Sequence, residues 1–106
     1  MVSIFLKTYG DYPKNKVLDF LVTFQEYDYS MKDIAKNSGI GYTTLKSFWK
    51  ELVNGKIVKC TRKVGKAKMY KLNKENQQVK KFIDFYFSVI EEETKNILEE
   101  KLLVKA

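Results

Sequence analysis

Two glycines bracket one isoleucine at Gly39-Ile40-Gly41, and the chain then runs through Tyr42, Thr43, Thr44, Lys46 and Ser47. Glycines ahead of hydroxyls and a lysine can make a loop whose bare backbone N–H groups cradle phosphate. They can equally make a tight turn that aims the next helix at something larger. A P-loop requires G-x-x-x-x-G-K-[ST] after a strand, and a dinucleotide fold requires G-x-G-x-x-G in the same place. Here an amphipathic helical pattern precedes the glycines, no third glycine follows, and no strand–helix–strand alternation surrounds them. The nucleotide reading fails on context.

Other chemistry is sparse. The 106 residues include no His, and Cys60 stands alone, so a structural zinc site of ordinary ligand type and an intramolecular disulfide are excluded. Cys60 lies in an apolar-alternating stretch and is expected to be a small buried hydrophobe. No nucleophile and base share a recognisable spacing, so no catalytic residue, metal or cofactor is expected. The apolar run "VSIFL" is too short for a secretory signal or a membrane span, which makes a cytoplasmic location the default expectation.

Charge points to a partner. The formal net charge is +7, and it is concentrated. Residues 54–74 hold seven Lys and one Arg with no acid, whereas the segments on either side carry acids and lysines in near balance. A solvated face normally mixes signs; an acid-free run of this length favours an anion-binding footprint.

The elements that must position these residues can be read in order. "MVSIFLKTYGDYP" is a short apolar segment, helix or strand, ended by Gly10 and Pro13. Pro13 suits the first turn of a helix whose apolar face is Val17, Leu18, Phe20, Leu21 and Phe24. "QEYDY" reads as the connection out of it. Ser30, with Asp33 three residues on, resembles a capping box opening a short helix that carries Met31, Ile34 and Ala35 inward. The next helix is expected from about Tyr42 to Val53, with Leu45, Phe48, Trp49 and Leu52 on one face, stopped by Asn54-Gly55. "KIVKCTR", "KVGK" and "AKMYKL" read as strand, turn and strand. Asn73 is placed to cap a last helix from about Lys74 to Leu103.

Ala35, Gly39 and Leu45 stand at relative positions 0, 4 and 10, where a helix-turn-helix needs a small contact residue, a sharp turn and an apolar anchor. With the basic hairpin and long helix behind it, "YSMKDIAKNSGIGYTTLKSFWKELVNGKIVKCTRKVGKAKMYKLNKE" resembles the winged helix-turn-helix transcription regulators, notably small archaeal ones. The departures are Ser38 in a slot that is often apolar and Gly41 where Ser or Thr is usual. The resemblance implies a mainly α fold with a small β-hairpin. Residues 1–74 would form a DNA-binding domain, and residues 75–106 a C-terminal dimerisation helix.

It also implies a sequence-specific regulator of double-stranded DNA with no enzymatic activity. Tyr42, Thr43, Thr44, Lys46, Ser47 and Lys50 would lie on the recognition helix in the major groove. Arg62, Lys63, Lys66 and Lys68 would form a wing on the backbone or minor groove, the lone Arg62 suiting a narrow groove. The last helix is apolar almost all round from Val79 to Ile90. Phe82, Tyr86, Val89, Ile90 and Ile97 are the expected homodimer contacts, unless the helix folds back on its own domain. The rival reading is a winged-helix module that binds protein inside a larger assembly; such modules usually lack a concentrated basic wing.

Overall fold

Ser3 opens the first helix, its Oγ accepting from the Leu6 N–H at 3.1 Å, and resolves the helix-or-strand choice at the N-terminal segment. The computed structural model describes residues 3–105; Met1 and Val2 of the apolar run "VSIFL" and its neighbourhood, and Ala106, lie outside the described residues. In chain order the elements are α1 (Ile4–Tyr9), α2 (Pro13–Thr23), β1 (Tyr29–Ser30), α3 (Met31–Ser38), α4 (Tyr42–Asn54), β2 (Val58–Val64), β3 (Ala67–Leu72) and α5 (Gln77–Lys105). The fold is mainly helical, with an antiparallel three-stranded sheet in the order β1-β3-β2 and a long C-terminal helix.

α3 and α4 end by the same device. In each, two N–H groups beyond the helix fold back on its last carbonyls: Gly39 to Lys36 and Ile40 to Ala35 after α3, Lys56 to Val53 and Ile57 to Leu52 after α4. This pattern requires one left-handed residue past the helix end. After α3 it is Gly39, at φ 74°, and this is the sharp turn between the two helices. After α4 it is Lys56, at φ 57°, one residue later than the glycine that the sequence suggests. Gly55 itself has φ −77°, and a Cβ there would sit 3.1 Å from the Glu51 carbonyl oxygen, so its smallness serves a close approach. Opposite substitutions should therefore give opposite signs. Gly39→Ala meets open space yet should cost about 1–2 kcal/mol in left-handed strain, whereas Lys56→Gly should gain roughly 0.5–1 kcal/mol. Urea melts of the two variants check both.

The core forms where the apolar faces of α2, α3 and α4 meet the sheet and the first half of α5. Val17, Leu21, Val22, Ile34, Leu45, Leu72 and Val79 retain almost no exposed surface. Ala35 and Leu45 are buried as the helix-turn-helix spacing requires, Trp49 and Leu52 line the inner face of α4, and Phe48 is half-buried.

Four expectations are corrected. Tyr29 and Ser30 pair with Tyr70 and Met69, so the supposed connection ends in a third strand. The last helix starts after Asn76, whose Oδ1 accepts from the Gln78 N–H at 2.9 Å; Asn73 caps only the preceding turn, accepting from Glu75 N–H. Cys60 is exposed, because only the root of β2 reaches the core and the strand beyond Val58 projects into solvent.

The fourth correction concerns α5. Phe82, Tyr86, Val89 and Ile90 all take part in the core of their own chain, Phe82 and Ile90 with part of their surface still exposed. Tyr86 and Val89 are buried, and Phe82 and Ile90 pack against the core. The cover is α1: the Phe5 ring lies 5.8 Å from Phe82, edge-on, and 5.2 Å from Tyr86. The Tyr86 hydroxyl donates to Asp19 Oδ1 at 2.8 Å, the same oxygen that accepts from Ser3 Oγ at 2.8 Å, so one carboxylate ties α1, α2 and α5 together. Burial away from water pushes the Tyr86 phenol up to about 12, which keeps it a donor at any physiological pH. Of the five expected contacts only Ile97 stays well exposed, joined by Phe85, Phe87, Leu98, Leu102 and Leu103.

Candidate nucleic-acid interface

α4 presents Tyr42, Thr43, Thr44, Lys46, Ser47 and Lys50 to solvent, because Leu45, Trp49 and Leu52 are drawn inward. Gly41 supplies no side-chain cap, and the first turn contains no acid. The N–H groups of that turn therefore keep their hydrogen-bonding capacity, at the positive end of the helix dipole. Lys46 Nζ lies 4.8 Å from the Tyr42 ring centroid, a cation–π contact that holds both side chains on one face. Ser47 Oγ already donates to the Thr44 carbonyl at 2.6 Å.

β2 and β3 form the hairpin. Val64 pairs with Ala67 across a Gly65-Lys66 turn in which only Gly65 has positive φ, at 61°, the type II′ pattern. Lys63 sits directly opposite Lys68. Like charges in register repel, so the hairpin bears a cost that an anion would remove. Lys63, Lys66 and Lys68 have no acidic partner among the described residues.

The sheet brings hairpin and helices together. A cleft of about 430 Å³ lies between the start of α3, the start of α4 and the hairpin; Lys32, Lys66 and Lys68 line it with Tyr42 and Tyr70, and no acid does. Lys32 escapes a reading of the sequence because its place here depends on β1 pairing with β3. Knowing that Ser30 faces Met69 would have found it.

Arg62 is placed differently from its expected role. Its Nε donates to Asp28 Oδ2 at 2.9 Å and its Nη2 to Oδ1 at 3.1 Å, and the Thr61 hydroxyl donates to the same carboxylate. The Arg62 fork, then Thr61, lowers the Asp28 carboxyl from 3.8 to about 2. A lowered folded-state pKa means that the pair's stabilisation is complete above the unfolded value and is lost as pH falls through the folded one. The stability advantage of wild type over Asp28→Asn should thus shrink between pH 3.8 and about 2, as read by urea melts across that interval.

Among the described residues, no three His, Cys, Asp or Glu side chains cluster as metal ligands, and no helix is long and apolar enough to cross a membrane. No protein-family model and no curated protein matches the chain. Solved structures do. MepR, a transcription regulator of the Staphylococcus aureus multidrug efflux pump MepA, superposes with a TM-score of 0.66 at 18% identity, over 88% of this chain and 70% of its own. The homodimeric winged helix-turn-helix DNA-binding domain Mb0332 of Mycobacterium bovis, a possible ArsR-family transcriptional regulator, gives 0.58 at 20% identity, over 79% and 72%. The chain has the winged-helix fold. Lactococcus lactis ZitR, solved in complex with DNA, gives 0.55 at 13% identity over 85% and 67%. In winged-helix terms α3 and α4 form the helix-turn-helix and the β2–β3 hairpin occupies the place of the wing.

Proposed function

We propose that this winged helix is a sequence-specific, double-stranded DNA-binding transcription regulator. The observation that carries the reading is the acid-free cleft where Lys32 of α3 and Lys66 and Lys68 of the wing meet the N-terminus of α4. A duplex laid there puts phosphates against three cations and the N–H groups of the first α4 turn. Thr43, Lys46 and Lys50 then face base edges in the major groove, with Tyr42, Thr44 and Ser47 toward the sugar–phosphate backbone. The wing cations Lys63, Lys66 and Lys68 grip the backbone or the adjacent minor groove. ZitR, of the same fold, was captured on DNA, which supports the assignment.

The proposed regulator is a homodimer, with residues 1–74 reading DNA and residues 75–106 pairing the chains. Ile90 and Ile97 are seven residues apart, Phe87 and Leu98 eleven, and Leu102 four beyond Leu98, spacings that gather them on one side of α5. Pairing along this side would match a two-fold operator. A gel-shift panel of the promoters flanking the protein's own gene, against scrambled duplexes of equal length, tests the function. A retarded band that survives scrambled competitor is expected; equal competition by every duplex rejects sequence specificity.

A further inference from the structure

Thr61 and Arg62 are consecutive on β2, and consecutive strand residues normally point to opposite faces. Here both reach one carboxylate. The cause is a bulge: Cys60 pairs with Tyr70 and Arg62 with Met69, so Thr61 has no residue opposite it. The bulge turns the Thr61 hydroxyl, Arg62 Nε and Arg62 Nη2 toward a single point. Three convergent donors, two of them on a guanidinium fork, are the usual means of holding an oxyanion in two-pronged geometry. Asp28, 34 residues away in sequence and outside the sheet, fills that point. Its side chain is 16% exposed while that of Arg62 is 62% exposed, so the carboxylate is recessed and the guanidinium opens outward.

The location matters. Ser30, two residues after Asp28, lines the basic cleft, and Lys68, which also lines it, pairs with Lys63 beside Arg62. Lys32, Lys46, Lys50, Lys63, Lys66 and Lys68 are exposed with no acidic partner among the described residues. The protein's single guanidinium, at the rim of the same surface, is the cation given a counter-ion.

We propose that Thr61 and Arg62 form an oxyanion seat for a backbone phosphate of duplex DNA, and that Asp28 occupies it as an internal competitor. The proposal rests on the DNA-binding reading for the source of the phosphate, not for the seat itself. Because Asp28 stays ionised far below neutral pH, the mask is in place under all physiological conditions and subtracts one cation from the phosphate count. Removing it should add that cation back.

The test compares wild type, Asp28→Asn, Asp28→Ala, Arg62→Gln, the Asp28→Asn/Arg62→Gln double variant and, as a control of equal charge on α5, Asp84→Asn. Duplex affinity is measured against salt by fluorescence anisotropy. Both Asp28 variants should steepen the log–log slope by about 0.9, so that each tenfold rise in salt costs them about eightfold more affinity than wild type. The double variant should return to the wild-type slope, and Arg62→Gln and Asp84→Asn should leave it unchanged. In parallel, millimolar inorganic phosphate should raise the melting temperature of Asp28→Ala and not that of wild type or the double variant. Slopes for both Asp28 variants equal to or shallower than wild type, with no phosphate-induced stabilisation, overturn the seat. Phosphate stabilisation of Asp28→Ala without duplex binding by any variant upholds the seat and rejects the DNA reading instead.

Discussion

Titrated with duplex DNA, the protein is expected to lose about four to five decades of affinity for each decade of added salt. Six exposed lysines without acidic partners among the described residues flank the cleft and the recognition face, and neutralising four to six phosphates per protomer gives a log–log slope near −4 to −5. The loss should divide between the two elements in a definite way. Lys66→Ala and Lys68→Ala remove backbone contacts, so each should weaken all duplexes alike and make the slope shallower by about one. Thr43→Ala and Lys46→Ala should instead narrow the gap between operator and random DNA, by about 1–3 kcal/mol where a good base contact is lost. Anisotropy titrations on one specific and one scrambled duplex separate the two. Wing variants that change sequence preference while helix variants do not would reverse the assignment. A salt-independent affinity would remove DNA from consideration.

The second large effect concerns the dimer. Leu98→Glu together with Leu102→Glu should convert a two-chain species to one chain at micromolar concentration, read by sedimentation velocity. Leu98 is 56% and Leu102 67% exposed, so neither substitution touches the core of the single chain. Ile90→Glu would be a poorer probe, because Ile90 packs against that core and its loss would confuse unfolding with dissociation. Burying ~600 Å² of apolar surface along this side of α5 contributes about 15 kcal/mol before association and ordering costs of similar size. A tight pair is therefore compatible with a patch of only a few side chains. Intact protein that sediments as one chain rejects the pairing, and a pair that survives both glutamates moves it to another surface.

What the sequence could disclose followed from how local each signal is. Pro13, Ser30 and Gly39 mark helix ends through their own backbone or side-chain chemistry, and the structure has helix boundaries at each. Leu45, Trp49 and Leu52 declare the inner face of α4 by spacing alone, and the outward arc follows without further information. β1 was invisible because a strand of two residues has no periodicity; it exists through its pairing with Tyr70 and Met69. The start of α5 slipped from Asn73 to Asn76 because both asparagines are competent caps. Their Nδ2 groups also hold the Lys56 carbonyl, at 3.1 and 3.0 Å, and that long-range bond fixes the turn between them.

The fate of Phe82 and Tyr86 was hidden for the same reason. Apolar side chains all around a helix say that each needs cover, not who provides it, and the six-residue α1, through Phe5 near its start, supplies much of it. Arg62 looked like a probe for a narrow groove because its carboxylate partner lies 34 positions away, and a bulge, which no residue type announces, brings them together. The outward-facing candidates on α4 were legible, whereas the place of Lys32 and the Arg62–Asp28 pair required the sheet.

The bond between Tyr86 and Asp19 has a mechanical consequence. It pins α5 to α2 about a third of the way along a 29-residue rod, and about 28 Å of helix runs from Tyr86 to Lys105, packed on the core only as far as Ile90. About that fulcrum, each degree of tilt sweeps the distal end through about 0.5 Å, so ten degrees displaces it by about 5 Å, more than one base-pair rise. In the proposed dimer two such arms, paired along their outer halves, would behave as calipers: any small rotation where Phe5 packs on Tyr86 would be magnified into the separation of the two winged-helix domains. A ring stacked differently near the pivot would thus register as a change of preferred half-site spacing, with no residue on the DNA-facing surface altered.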